Sequence, residues 1–119
     1  MAVAINGTSG ISGIDGSSSS PTIRGTDSNT GLSFAADTLI CNTGGNERTR
    51  INSNGELLIG CTTQPSATVH GTQIQSNGLI VTSKDGTSSS IHHQFFNDNG
   101  SVGQISTSGT STTYSTSSD

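Results

Sequence analysis

The sequence predicts an all-β fold that several copies of the chain build together. Three observations predict it: repeated Asn-Gly and Asp-Gly turn signals, short apolar runs between them, and few apolar residues. Of the 119 residues, 27% are hydrophobic and 3% are aromatic. Small domains bury little surface even with an ordinary composition, so we expect neighbouring copies to supply the missing core. No stretch shows the helical repeat of apolar residues at i, i+3, i+4 and i+7.

Two β-hairpins are predicted from the segments Ser53-Asn54-Gly55 and Ser76-Asn77-Gly78, each of which separates two strand-like runs. Asn-Gly between such runs is a strong signal for a two-residue hairpin turn. The expected cross-strand pairs are Ile51 with Leu58 in the first hairpin and Ile74 with Val81 in the second.

Further short strands are expected on both sides of these hairpins. Residues 1–33 are rich in Gly, Ser and Thr and indicate short strands and loops, while the run Ser17–Ser20 is also typical of a flexible linker. The other predicted strands are Thr38–Cys41, ended by Gly44-Gly45, then Ile91–Phe96 and Val102–Ser106.

Several predicted strands are apolar on both sides, because adjacent strand residues point in opposite directions. Leu57-Leu58-Ile59 and Leu79-Ile80-Val81 are the clearest cases, and Phe95-Phe96 is the third, most simply explained as core. A strand that is buried on both faces needs cover on both. One chain with so few large apolar residues cannot supply that cover, so symmetry-related copies are expected to do so.

Charge and composition exclude several classes of function. The formal net charge is −4 with four basic residues, which disfavours binding to phosphate backbones. No segment has the pattern of a signal peptide or a membrane span, so we expect a soluble chain made in the cytoplasm, without membrane insertion. Cys41 and Cys61 are then expected to be reduced thiols that pack as small buried hydrophobes, with a disulfide as the alternative.

No residue set predicts catalysis, a metal site or a cofactor. The acidic residues are scattered and mostly sit beside turn residues, where Asp is favoured for local hydrogen bonding. His92 and His93 are adjacent, so on a regular strand only one could face a symmetry axis. Arg48 and Arg50 are expected to share a strand face. Exposed charges that contribute little are the preferred interpretation, and pairing with Glu47, Glu56 or an acid of a neighbouring subunit is the alternative. Tyr114, in a polar tail, is a candidate receptor contact.

Residues 46–70 resemble a module of bacteriophage tail fibres, which runs roughly Arg-x-x-Ile-x-x-x-Gly-x-x-x-Ile-Gly-Thr-Thr-x-Pro and leads to a Leu-His-Val strand. Cys61 and the order Val69-His70-Gly71 depart from that pattern. The matching residues are Arg48, Ile51, Gly55, Ile59, Gly60, Thr62, Thr63, Pro65 and His70.

The C-terminal segment from Asn99 to Asp119 resembles the junction that precedes the intramolecular chaperone of endosialidases and related tail fibres. In that family the chaperone trimerises the fibre and then cleaves itself off. By this resemblance Ser118 and Asp119 mark the maturation junction, with Ser118 at the cut. A segment near the N-terminus, Gly10-Ile-Ser-Gly-Ile-Asp-Gly16, is also similar to phage fibre proteins.

The resemblance implies an elongated homotrimeric fibre with an intertwined or interlocked β shaft. Residues 1–45 would form the Gly/Ser-rich virion-attachment region and residues 46–119 the shaft and tip. The implied function is that of a short tail fibre, assembled in the host cytoplasm, that contributes to host attachment. Its expected partners are itself, other tail or baseplate proteins, and a host surface glycan or outer-membrane receptor.

Other functions are weighed against the tail fibre. The main alternative is an architectural connector, such as a collar, baseplate or head fibre, without receptor binding. A bacterial adhesin is disfavoured because we find no secretion signal. A fibre-borne hydrolase would need a shaped acid–base site that the scattered carboxylates do not predict.

Overall fold

The structure is a computed structural model that describes residues 15–116 in full and the backbone of residues 4–6 and 10–12. The described residues form twelve β-strands in three antiparallel sheets, and none of them lies in a helix. The predicted all-β class is therefore confirmed for this part of the chain. The smallest sheet pairs β1 (Ala4–Asn6) with β2 (Gly10–Ser12).

The largest sheet is a seven-stranded meander in which each strand pairs with the next one along the chain. Turns and short loops suffice to connect antiparallel neighbours, so the many Gly and Asn residues fall at strand ends. The strands are β3 (Ile23–Arg24), β4 (Gly31–Ala35), β5 (Thr38–Thr43), β6 (Asn46–Ile51), β7 (Leu57–Ile59), β8 (Gly71–Ile74) and β9 (Ile80–Ser83).

The third sheet holds the C-terminal strands β10 (Ser90–Asn97), β11 (Gly100–Ser108) and β12 (Ser111–Thr116). The strands predicted over Ile91–Phe96 and Val102–Ser106 lie within it and are confirmed. The Cα atoms extend over 62 × 31 × 25 Å with a radius of gyration of 19.0 Å. A compact domain of this length would have a radius of about 13–14 Å, so the chain is less compact than a typical single domain.

The serine run between residues 17 and 20 forms a turn closed by backbone hydrogen bonds. The Ser17 amide donates to the Ser20 carbonyl at 3.1 Å, and the Ser20 amide donates back to the Ser17 carbonyl at 3.2 Å. Just before it, the Asp15 carbonyl accepts a 2.7 Å hydrogen bond from the Phe34 amide of β4. The run is therefore a turn beside the large sheet, and the flexible-linker interpretation is not supported.

The turn between β5 and β6 contains the boundary expected between residues 45 and 46. Thr43 pairs with Asn46, which leaves Gly44 and Gly45 as a two-residue loop. Both glycines have positive φ, 58° and 75°, as a type I′ hairpin turn requires. The expected attachment and shaft regions therefore share one continuous sheet.

The turn between β6 and β7 has three loop residues. The Asn52 amide donates to the Glu56 carbonyl at 3.1 Å, and the Gly55 amide donates to the Asn52 carbonyl at 2.9 Å. Gly55 has a φ of +73°, which is the geometry of a type I turn followed by a left-handed glycine. The turn between β8 and β9 repeats the pattern with Gln75, Gly78 and Leu79.

This turn geometry corrects the predicted register in both hairpins by one residue. The prediction assumed a two-residue loop at Asn-Gly, whereas the serine before each Asn-Gly is also part of the loop. A shift of one residue in register moves side chains to the opposite face of a sheet. The observed pairing therefore changes which residues lie on each face. The observed pairs are Ile51 with Leu57 and Ile74 with Ile80.

Directly paired residues lie on the same side of a sheet and neighbours along a strand lie on opposite sides. The large sheet therefore has an inner face and an outer face, named here after two rows of paired residues. The inner row is Ser33, Ile40, Arg50, Leu58, Gln73 and Val81, and the outer row is Phe34, Leu39, Ile51, Leu57, Ile74 and Ile80.

The single chain has almost no apolar core of its own. Among the described side chains, Leu58 is the only large hydrophobic one that is buried, at 0% exposure. Its companions inside are polar, since Ser33, Asn42 and Gln73 are also buried. Ile59, one residue from Leu58 and on the other face, stays 45% exposed. The chain thus covers one face of its central strands and leaves the other uncovered.

The turn assignment predicts that Gly55→Ala lowers the free energy of unfolding by about 1–2 kcal/mol, the usual penalty for a left-handed alanine. No atom lies within 4 Å of the added Cβ, so backbone strain is the sole cause. Urea unfolding followed by circular dichroism measures the loss. Gly25→Ala is the matched control, because Gly25 is equally open and does not have a left-handed φ. Equal losses for the two variants would contradict the turn geometry.

Candidate interaction surfaces

The outer row is a line of exposed aliphatic and aromatic side chains across six strands. Leu39, Ile51, Ile74 and Ile80 are exposed, with Ile80 at 54%, while Phe34 and Leu57 are half-buried. Neighbouring strands lie about 4.8 Å apart, so the five spacings make the row about 24 Å long. A continuous apolar line of this length differs from the scattered single hydrophobes that most protein surfaces carry.

A second outer row lies two residues further along each strand, on the same face. It combines three large aliphatic residues with Cys41 and three threonines. The two outer rows contain no charged side chain. The second outer row is Ile23, Leu32, Cys41, Thr49, Ile59, Thr72 and Thr82.

The inner face has the opposite character, because polar side chains on it form hydrogen bonds with one another. The Asn42 amide nitrogen donates to the Ser33 hydroxyl at 2.8 Å, while the Asn42 side-chain oxygen is buried without a partner. Arg50 donates twice to the Glu47 carboxylate, at 2.5 and 2.7 Å. These hydrogen bonds raise the pKa of Arg50, and the charge of Glu47 adds to that effect.

A β-bulge explains why Glu47 reaches Arg50 although they are three residues apart. Asn42 pairs with Glu47 and Cys41 pairs with Thr49, so Arg48 is the extra residue. The bulge places Glu47 on the inner face. Arg48 instead donates to the Thr43 hydroxyl at 2.8 Å. The expectation that Arg48 and Arg50 share a face is wrong. The preferred interpretation of exposed charges is wrong for Arg50, which is half-buried and paired with Glu47.

The loop of residues 60–70 is tied to the inner face at β9. Ser83, which pairs with Gly71 on that face, donates its hydroxyl to the Ser66 carbonyl at 2.6 Å. The His70 ring nitrogen Nδ1 lies 3.3 Å from the Ser83 hydroxyl, and Pro65 is buried. The loop with the fibre-like residues therefore serves to close the inner face.

His92 joins the two larger sheets. Its Nδ1 lies 2.9 Å from the Thr82 hydroxyl of β9, and its Nε2 lies 3.0 Å from the Thr107 hydroxyl of β11. A neutral imidazole donates from one nitrogen and accepts at the other, and a hydroxyl can fill either role. Lys84 adds a second link, a 3.2 Å hydrogen bond to the Ile91 carbonyl.

A bulge between Ile91 and His93 breaks the expected alternation at the histidine pair. His93 pairs with Ile105. Thr107, whose hydroxyl is hydrogen-bonded to the His92 ring, lies on the same face as Ile105. Both histidine side chains therefore lie on one side of the sheet, whereas adjacent residues of a regular strand point to opposite sides. Within residues 15–116, no group of three or more His, Cys, Asp or Glu side chains could hold a metal ion. Cys41 and Cys61 are free thiols.

Aromatic side chains are strongly exposed on the C-terminal sheet. Tyr114 pairs with Ile105 and is 79% exposed, and Phe95 and Phe96 are 53% and 66% exposed. The expectation that Phe95-Phe96 is core relied on cover from other copies of the chain and stays a prediction. Within the single chain, both phenylalanines are exposed. Tyr114 is available for contact, as the receptor prediction requires.

A shallow concavity of about 160 Å³ lies at the end of this sheet. Its lining offers hydroxyl and amide groups and contains no titratable side chain, so it can supply hydrogen bonds and cannot supply proton transfer. The concavity is lined by Ser101, Gly103, Gln104, Ser115 and Thr116.

The junction residues Ser118 and Asp119 lie outside the described residues. Among the described residues, there is no helix long and apolar enough to cross a membrane.

The bridging role of His92 predicts that His92→Ala lowers the free energy of unfolding by about 1–2 kcal/mol, because two side-chain hydrogen bonds are lost. His93→Ala is the matched control, since His93 is exposed and its truncation should change the unfolding free energy by less than about 0.5 kcal/mol. Urea titration of both variants measures the difference. A larger loss for His93→Ala would show that His92 does not hold the sheets together.

Comparisons with known proteins leave the geometry as the main guide to function. No protein-family model, curated protein or solved structure matches this chain at a significant level. The likeness to tail fibres therefore rests on the sequence motifs alone, and the interaction surfaces rest on the structure.

Proposed function

We propose that this chain is a structural subunit of a bacteriophage virion, a short tail fibre that works as a homotrimer and contributes to host attachment. The observation that carries the proposal is the near-absence of an apolar core, with Leu58 as the only buried large hydrophobic side chain in the described part. A chain in this condition needs permanent partners, and a homo-oligomeric fibre provides them.

The energetics favour association over a solitary chain. Full burial of a large aliphatic side chain contributes about 1.5–3 kcal/mol. Covering the exposed half of each outer-row side chain would therefore contribute about 1 kcal/mol per residue and copy. Net stabilities of folded domains are only about 5–15 kcal/mol, so this contribution is comparable with the whole stability of the fold.

The trimeric state and the virion follow from the tail-fibre resemblance at residues 46–70 and at the C-terminus. In this proposal residues 1–45 attach to tail or baseplate proteins, and the C-terminal sheet lies towards the free end. Tyr114 is then a candidate contact for a host glycan or an outer-membrane receptor, because it is a large, exposed aromatic side chain. No catalytic role, metal or cofactor is part of the proposal.

An architectural connector without receptor binding is the second candidate. It would need the same association of chains, so the exposed outer row fits it equally well. Binding of the purified protein to host cells separates the two, since only a receptor-binding fibre should be retained, and Tyr114→Ala should reduce that retention.

The proposal predicts a native mass near three times 12.0 kDa for the purified chain, measured by light scattering at micromolar concentration. An antibody against the protein should also label an external appendage of the phage particle in electron micrographs. A folded monomer at these concentrations, or the absence of the protein from purified particles, would contradict the fibre assignment.

A further inference from the structure

We propose that the outer face of the seven-stranded sheet is the surface through which copies of this chain pack against one another. This inference rests on the proposed function and adds to it the face that is used. It assigns the two outer rows to the subunit interface, except Thr82, which is hydrogen-bonded to His92 of the same chain. The inner face stays closed within each chain.

Charge supports a second copy as the occupant. The chain carries a formal net charge of −4, so two copies repel unless their carboxylates stay away from the contact. They do so here, because neither outer row contains a carboxylate. Glu47 lies on the inner face, and Glu56 and Asp98 lie beside turns. Arg48 lies at the bulge, at the edge of the second outer row. The two outer rows can therefore meet those of a second copy without burying a charge.

The same charges disfavour a lipid surface as the occupant. Peripheral membrane binding uses Lys and Arg beside the apolar surface, together with interfacial aromatic residues. The outer rows contain no basic residue, Phe34 is their only aromatic one, and the chain as a whole is acidic. A negatively charged bilayer would repel it.

The residues of the outer face are distributed as in a protein interface. Large aliphatic residues form its centre in the outer row, and the second outer row adds small residues such as Thr49 and Thr72. Polar turns surround both rows, including the turn at Gly55 and the bulge at Arg48. An apolar centre with a polar rim is typical of permanent homo-oligomers.

Adjacent residues Ile80 and Leu79 provide a matched test. Ile80 is 54% exposed in the outer row, whereas Leu79 is 53% exposed at the edge of a turn and outside both rows. Ile80→Lys should raise the dissociation constant of the oligomer by about 100-fold or more, because it buries an unpaired charge. Leu79→Lys should leave assembly unchanged. Sedimentation velocity across a dilution series measures both.

The milder pair Ile80→Ser and Leu79→Ser keeps the test valid if the lysine variants do not fold. Ile80→Ser should weaken association by about tenfold, with circular dichroism confirming a β spectrum, and Leu79→Ser should not. If the unsubstituted chain assembles and both positions behave alike, the face is wrong while the proposed fibre stands. If the unsubstituted chain is a folded monomer, the face and the fibre fail together.

Discussion

The register of the seven-stranded meander is the constraint on which the rest of the structure depends. Each strand pairs with the next, and three-residue turns closed by Gly55 and Gly78 set the offset of two hairpins. That offset aligns Ile51, Leu57 and Ile74 on one side, together with their partners in the adjoining strands. A shift by one residue would scatter these side chains over both faces.

The inner and outer faces of the seven-stranded sheet contribute to stability in different ways. The inner face is closed within the chain by Leu58, by the Arg50–Glu47 pair and by the buried Asn42–Ser33 hydrogen bond. Hydrogen bonds of this kind contribute modestly because they replace bonds to water, although leaving a buried polar group unpaired is costly. In the proposed oligomer, the apolar contribution that ordinarily offsets the conformational entropy of folding would come from burial of the outer face between copies. Stability and assembly would then depend on the same surface.

The sequence predicted the fold class and the elements better than their pairing. Asn54-Gly55 and Asn77-Gly78 do mark hairpins, because Gly tolerates the positive φ that the turns need. The register was missed because Ser-Asn-Gly fits both a two-residue and a three-residue loop, and both registers pair aliphatic residues. The outer row follows from the register, so it could not be identified from the sequence alone.

The bulges at Arg48 and His92, two of the three register irregularities in the described sheets, set a second limit on prediction. Arg48 and His92 each occupy an extra position where strict alternation fails, and no local residue pattern announces them. The Glu47–Arg50 pair and the His92 link between sheets both depend on these bulges. The exposure of Phe95 and Phe96 in the single chain agrees with the expectation that one chain cannot cover both faces of this strand. Tyr114 is exposed, which agrees with its position in a polar segment, and its role as a receptor contact stays a prediction.

The dependence of the thermal midpoint on protein concentration tests the central claim most directly. If outer-face burial between copies stabilises the fold, unfolding is coupled to dissociation and mass action applies. The Tm should then rise steadily as the protein concentration is raised over about a hundredfold range. A cooperative transition whose Tm does not change with concentration would show that the single chain is stable by itself, and would contradict this account.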